Sequence, residues 1–260
     1  MNQSSEQNFR QTIVEIGRRM YERGFVAAND GNISVRLDAQ RILTTPTGVS
    51  KGHMQAADLV VVDREGKTLA GGKPSTELPL HLYLYKERPD IQAVVHAHPP
   101  YATGFATAGV PLDKCVLAEV IVTIGTIPLA EYGTPSTEEL PQTLQPYLHS
   151  CDAFLMANHG VVTVGHDLMD AYFKLERVEH SANIIFNARA LGGERVLPKH
   201  QVEKLYDLRE TYGVKSLNPG CYACYNDCIE DSCVNHSVKF NTDGPDHFNE
   251  IVEKVLAAVR

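Results

Sequence analysis

Phe9, Ile13, Ile16, Met20 and Phe25 recur at near-helical spacing, which predicts an amphipathic helix over residues 7–24 that stops at Gly24. The period then shortens. Ile33–Leu37, Arg41–Thr45 and Leu59–Asp63 are β-branched runs set between turn residues, including the cluster Asn29-Asp30-Gly31-Asn32, and they predict a meander of strands rather than βαβ units. Gly71-Gly72-Lys73-Pro74 breaks the chain. Thr76 reads as the cap of a helix from Glu77 to about Arg88, and Ile91–His98 as a strand halted by Pro99-Pro100. A helix around 101–109, short apolar runs over 116–130, a helix near 137–149 and strands at Ala153–Ala157 and Val161–Val164 follow. The longest periodic stretch, 167–191, places Tyr172, Leu175, Val178, Ala182 and Ile185 on one side and closes at Gly192-Gly193. Strands and helices are thus interleaved over residues 1–214. From Ser216 to Gly244 the chain turns rich in Asn, Asp, Cys and Gly, so residues 215–260 read as a linker with an appended terminal element.

Composition narrows the function classes. With 260 residues, 43% of them hydrophobic and 22% charged, the chain can bury a sizeable core. A net charge of −8 argues against nucleic acid, whose phosphates call for clustered Lys and Arg. No run approaches the roughly 20 apolar residues of a membrane span, and Met1–Arg10 is polar, so a cytoplasmic protein with no membrane partner is expected.

His96 and His98 lie two apart on a predicted strand, which turns both imidazoles to one face. A lone buried histidine is most often a satisfied core residue. Two side by side in an apolar strand are costly to bury unpaired, and a divalent ion would relieve that cost. His159, between the apolar run Phe154–Met156 and Gly160, reads by itself as a turn residue and beside the pair as the candidate third nitrogen ligand, and His81 reads either as support for the site or as packing. Pro74-Ser75-Thr76 ahead of a helix at Glu77 forms either an anion cradle or a plain cap. Thr45-Pro46-Thr47-Gly48 and the Gly31-Asn32 turn could add donors.

Gly31-Asn32-Ile33-Ser34, Thr45-Pro46-Thr47-Gly48, Lys73-Pro74-Ser75-Thr76-Glu77, Val94-Val95-His96-Ala97-His98 and Asn158-His159-Gly160 also stand in a familiar order and spacing. Over about residues 8–214 they resemble the class II aldolase/adducin family, most of all its L-fuculose-phosphate aldolase branch. The resemblance implies an α/β fold of three α-β-α layers with a mixed, mainly antiparallel central sheet, and a homotetramer with sites at subunit interfaces. It implies that His96, His98 and His159 bind Zn²⁺, with Glu77 the fourth ligand at rest and the acid/base once substrate arrives. It further implies that Asn32, Thr47, Gly48, Ser75 and Thr76 hold a phosphate. The expected reaction cleaves a (deoxy)ketose 1-phosphate, such as L-fuculose 1-phosphate, to dihydroxyacetone phosphate and an aldehyde. A cation there would stabilise the enediolate left by carbon–carbon cleavage.

Two positions separate the branches. Related 4-epimerases carry Asp where this chain has Glu77, which favours the aldolase. The aldolase pattern, however, uses a tyrosine to protonate the departing aldehyde oxygen, and Leu117 occupies that position here. Glu119 is the candidate replacement, and Tyr212 matches the family's C-terminal tyrosine, which can close over the site. The enzymatic alternatives are a zinc-dependent pentulose 1-phosphate dehydratase and a sugar-phosphate epimerase. A non-catalytic, adducin-like scaffold is the other alternative, and the complete set of His96, His98, His159 and Glu77 argues against it.

The appendage carries its own signals. Cys221, Cys224, Cys228 and Cys233 crowd together, with His236 beyond, and read either as a small metal site or as reduced thiols. Phe248, Ile251, Val252, Val255, Leu256 and Val259 form one apolar stripe. A short terminal helix over 245–260 either packs on its own protein or docks to a bacterial microcompartment shell protein.

Overall fold

The computed structural model describes residues 3–211 and residue 214. All lie in the first of the two units into which the chain divides, Met1–Asn226. Tyr212, the four clustered cysteines and the apolar stripe of 245–260 lie outside the described residues.

In chain order the elements are α1 (Gln3–Glu22), β1 (Asn32–Arg36), β2 (Arg41–Thr44), β3 (Val60–Asp63), β4 (Thr68–Ala70), α2 (Leu78–Glu87), β5 (Ala93–Ala97), α3 (Pro100–Thr107), α4 (Ala118–Thr123), β6 (Leu129–Ala130), α5 (Glu139–Thr143), β7 (Ala153–Met156), β8 (Gly160–Gly165), α6 (Leu168–Ala190) and α7 (Lys199–Thr211). The strands form one eight-stranded sheet in the order β4-β3-β2-β1-β5-β8-β7-β6. Its neighbours are antiparallel except for the parallel pair β6–β7. This is the mixed, mainly antiparallel sheet expected of the family.

Both faces of the sheet are covered, which is why its central strands read as continuous apolar runs. Successive residues part to opposite sides with period two. Val61, Val95 and Leu155 pack with Ile13 and Ile16 of α1, Phe105 of α3 and Tyr172 and Leu175 of α6. Val60, Val62, Val94 and Phe154 pack with Leu80 and Leu84 of α2 and Leu140 of α5. The outcome is three layers, α-β-α.

Local signals account for the helix ends. After α1, Gly24 adopts φ +70°. Its N–H bonds to Tyr21 O at 3.0 Å while that of Phe25 bonds to Met20 O at 2.8 Å, a Schellman closure. α6 opens with Asp167, whose side chain accepts from Asp170 N at 2.8 Å.

Four expectations need correction. Thr76 does not cap α2; Glu77 holds the N-cap position without a side-chain cap bond, because its carboxylate is engaged elsewhere. The helix expected over 137–149 shrinks to Glu139–Thr143, since Pro146 disfavours helical backbone at Gln145 and removes a donor. The apolar stretch 116–130 contains α4, too short for its period to be read. α7 was not foreseen; Val202 packs it onto Cys115 and Ile121.

Candidate metal and phosphate site

The site is assembled at the trailing ends of β5 and β7. His96 is fully buried on β5, opposite Asn32 of β1 and Val162 of β8. His98 follows the strand. His159 sits in the turn between β7 and β8, where Asn158 takes the left-handed conformation at φ +55°, which asparagine tolerates. Gly160 lets that turn close: a Cβ there would stand 2.6 Å from both Ala97 O and His98 Cδ2. Gly31 has a similar function before β1, with φ +73° and only 2.9 Å between an added Cβ and His96 O.

The ligand nitrogens converge as a result. His96 Nδ1 lies 2.8 Å from Val161 O, so it carries the proton and leaves Nε2 as a lone pair. That Nε2 is 3.1 Å from His98 Nε2 and 3.3 Å from Glu77 Oε2, while Glu77 Oε1 is 3.1 Å from His159 Nε2. A tetrahedral zinc site with bonds of 2.0–2.1 Å has ligand–ligand edges of about 3.3 Å. These three separations match those edges, and the ligand atoms of all three histidines lie within 4.8 Å of one another, so the donor set is one that could hold a divalent ion. His98 Nδ1 faces Asp30 at 3.5 Å, and His159 Nδ1 is buried without a hydrogen-bond partner among the described residues.

Electrostatics reinforce the convergence. Burial works against ionisation of Glu77, yet His96 and His159 hold its carboxyl far below the usual carboxylate range. Burial likewise lowers His96, but the charge and hydrogen bond of Glu77 outweigh it and leave its pKa raised. His98 is pushed down to about 4 by burial and by His96 and His159.

Behind Glu77 runs a directed chain of hydrogen bonds. Asn32 Nδ2 donates to Glu77 Oε2 at 2.7 Å, which leaves Asn32 Oδ1 to accept from His81 Nε2 at 2.5 Å. His81 Nδ1 then accepts from Ser34 Oγ at 2.6 Å, and Ser34 accepts from Tyr85 OH at 2.9 Å. His81, its pKa pushed down to about 3 mainly by burial, is neutral in this chain. It supports the site through Asn32. Ser34 stood in the Gly31-Asn32-Ile33-Ser34 motif without a role and no local pattern marks Tyr85; only the pairing of β1 with β5 and the packing of α2 bring them into the chain.

The candidate phosphate loops meet through backbone bonds. Thr47 N donates to Lys73 O and Ser75 N to Thr45 O, both at 3.1 Å, so Thr47 and Gly48 lie beside Ser75 and Thr76. Gly48 has φ +72° with open space at its Cβ position, and Gly48 and Thr76 are exposed. Ser75 Oγ accepts from Glu77 N at 3.2 Å. Asn32, by contrast, is buried and committed to Glu77 and His81.

Glu119 is exposed in the first turn of α4, and no contact among the described residues ties it to the histidines. Leu117, at the N-cap of α4, lines a small cleft with Leu112, Val120 and Ile127 that shares no residue with the histidine cluster.

Residues 11–186 match the Class II Aldolase and Adducin N-terminal domain. The chain is 37% identical over 192 residues to the 3-oxo-tetronate 4-phosphate decarboxylase of Haemophilus influenzae, covering 72% of this chain and 90% of that protein. It is 34% identical over 172 residues to an L-fuculose phosphate aldolase of Methanococcus maripaludis, covering 66% and 93%. Among solved structures an L-fuculose 1-phosphate aldolase superposes with a TM-score of 0.72 at 31% identity, covering 78% of this chain and 96% of that one.

Proposed function

We propose that this chain, which belongs to the class II aldolase and adducin family, is a divalent-metal-dependent lyase that breaks the bond between the carbons α and β to the ketone of a small phosphorylated sugar or sugar acid. The observation that carries the reading is the convergence of three imidazole nitrogens within 4.8 Å of one another, with the Glu77 carboxylate 3.3 Å from His96 and 3.1 Å from His159, beside an open, donor-bearing loop pair. His96, His98 and His159 would hold the ion, with Glu77 as the fourth ligand at rest. When bound, the ion supplies positive charge to the oxygens that take up the electron pair of the broken bond.

The protein's own groups do the rest. Thr47, Gly48, Ser75 and Thr76 fix the phosphate and so orient the reacting end. Glu77, steered by Asn32, is the proton carrier for the carbon that loses its substituent.

The leaving group distinguishes two reactions with one common product. In a 3-oxo-tetronate 4-phosphate the bond from C1 to C2 breaks, its electron pair moves onto the C3 ketone, carbon dioxide departs and C2 takes a proton, which yields dihydroxyacetone phosphate. In a ketose 1-phosphate an aldehyde departs instead, and its oxygen has to gain a proton. Leu117 offers none. We therefore favour decarboxylation, which needs no acid at the leaving group; the 37% identity to a decarboxylase supports the same choice. Aldol cleavage is the second reading, supported by the similarity to L-fuculose phosphate aldolases.

The test is to incubate the metal-loaded protein separately with 3-oxo-tetronate 4-phosphate and with a panel of deoxyketose 1-phosphates, scoring carbon dioxide, aldehyde and dihydroxyacetone phosphate. Carbon dioxide from the first without aldehyde from the second supports the favoured reading. Aldehyde release alone reverses the choice, and no product from either sinks both.

A further inference from the structure

Lys51 has no part in the chemistry above, yet it is among the largest fully buried side chains of the protein, 2% exposed. Lysine is almost never buried so completely without a partner. Here the Nζ donates to the carbonyl oxygens of Asn29 at 2.9 Å and Val49 at 2.8 Å. Asn29 opens the turn that carries Asp30, which faces His98, and Asn32, which holds Glu77. Val49 follows Gly48 directly. One ammonium thus bonds two segments that the chain keeps twenty residues apart, one leading to the histidine cluster and the other to the candidate phosphate loop. α1 is shaped around this strut: a Cβ on Gly17 would stand 2.8 Å from Lys51 O and 3.4 Å from Lys51 Cβ.

The charges of Asp30 and Glu77 favour the ammonium form, although burial pushes the pKa of Lys51 down to about 8. Gly48, in the left-handed region with open space at its Cβ position, has no packed side chain of its own to fix the loop. On one side of Gly48 the Thr47 N–H is held by Lys73 O at 3.1 Å, and on the other the Val49 carbonyl is held by Lys51 Nζ at 2.8 Å.

We propose that Lys51 is a positioning residue that, through the Asn29 and Val49 carbonyls, sets the separation between the metal-site turn and the Thr47–Gly48 loop and thereby the affinity for substrate phosphate. The inference rests on the reading that this loop receives a phosphate. His96 sits on β5, His98 directly after it and His159 in the β7–β8 turn, and Lys51 bonds to none of them, so metal content is expected to survive loss of the strut.

The experiment compares the full-length protein with Lys51→Met, which keeps the length of the side chain but no donor, and Lys51→Gln, which keeps N–H donors on a shorter, uncharged arm. Metal content, melting temperature and the dissociation constant for inorganic phosphate are measured for each, with KM and kcat on the phosphorylated substrate identified above. The expected result is unchanged metal content and at least tenfold weaker phosphate binding in Lys51→Met. KM should rise more than kcat falls, and Lys51→Gln should lie between Lys51→Met and the parent. If the parent binds phosphate and either folded variant binds it equally well, the proposal is overturned while the functional reading stands. Loss of metal alongside phosphate in a folded variant also overturns it. If the parent itself binds no phosphate, the functional reading fails and the proposal with it.

Discussion

β5 and β7 each carry a polar residue group at both ends, and the two groups satisfy their buried polar atoms in opposite ways. At the leading ends Arg88 binds Asp152 and Asp90, both at 2.8 Å, and donates to Leu148 O and Cys151 O; Lys174 reaches Asp152 at 3.1 Å and Asp170 at 2.9 Å. Every charge there has an opposite charge beside it. At the trailing ends three imidazoles and a carboxylate converge, two Nε2 atoms stand 3.1 Å apart, and among the described residues no lysine or arginine pairs with the cluster and His159 Nδ1, buried, has no hydrogen-bond partner. The first group is complete as the protein folds. The second brings together donors that could hold a cation, and the difference separates a buried polar cluster neutralised by its own opposite charges from one that is not.

The contrast is sharpest under substitution. His96→Ala should take bound metal from about one ion per chain toward none and abolish turnover, with little loss of thermal stability in the metal-free protein. Metal analysis beside a melting curve checks this, and unchanged metal content would refute the assignment.

Asp152→Ala should do the reverse. Removing one partner of a buried pair leaves Arg88 and Lys174 uncompensated, so stability should fall by about 3–5 kcal/mol while the folded fraction keeps its metal. Denaturant unfolding of chelator-treated and metal-loaded samples separates the two effects. If Asp152→Ala lost metal at unchanged stability, the division between the groups would be wrong.

Acid probes the leading-end group more gently. The Arg88 guanidinium holds Asp90 below the usual carboxylate range, and Asp170 is likewise depressed: burial opposes ionisation, but Lys174 outweighs it. For a depressed carboxylate the stabilisation is fully present above the unfolded pKa of about 3.9 and is lost as pH falls through the lower folded value. Metal-free protein should therefore lose stability below about pH 5, by at most about 1.4 kcal/mol per pH unit for each proton taken up. Asp170→Asn should flatten that slope; a slope identical to the parent's would remove Asp170 from the account.

The smallest effect is expected from the chain's end. Both groups, as described, are built from residues between Asp30 and Lys174, so deleting residues 245–260 should leave metal content and turnover unchanged. Under the docking reading the deletion abolishes co-purification with a microcompartment shell protein. A marked fall in melting temperature with no shell partner recovered would favour packing on the protein's own body.

The sequence by itself determined the alternation of strands, the long amphipathic α6 and the placing of His96 beside His98, because each depends on spacing along a single segment. His96 and His98 were legible as a pair since a strand's period of two needs no partner, and α6 since its apolar face repeats over six turns. Tertiary structure decided what lies between segments. It set the distance from His159 to Glu77, the chain from Tyr85 through Ser34, His81 and Asn32, and the burial of Lys51 between two loops. The short α4 and the truncated α5 were likewise settled by packing, because fewer than two turns carry too few positions to show a period. Spacing along one segment is local chemistry. Which segments meet depends on how the whole apolar surface is buried, and only the folded chain shows that.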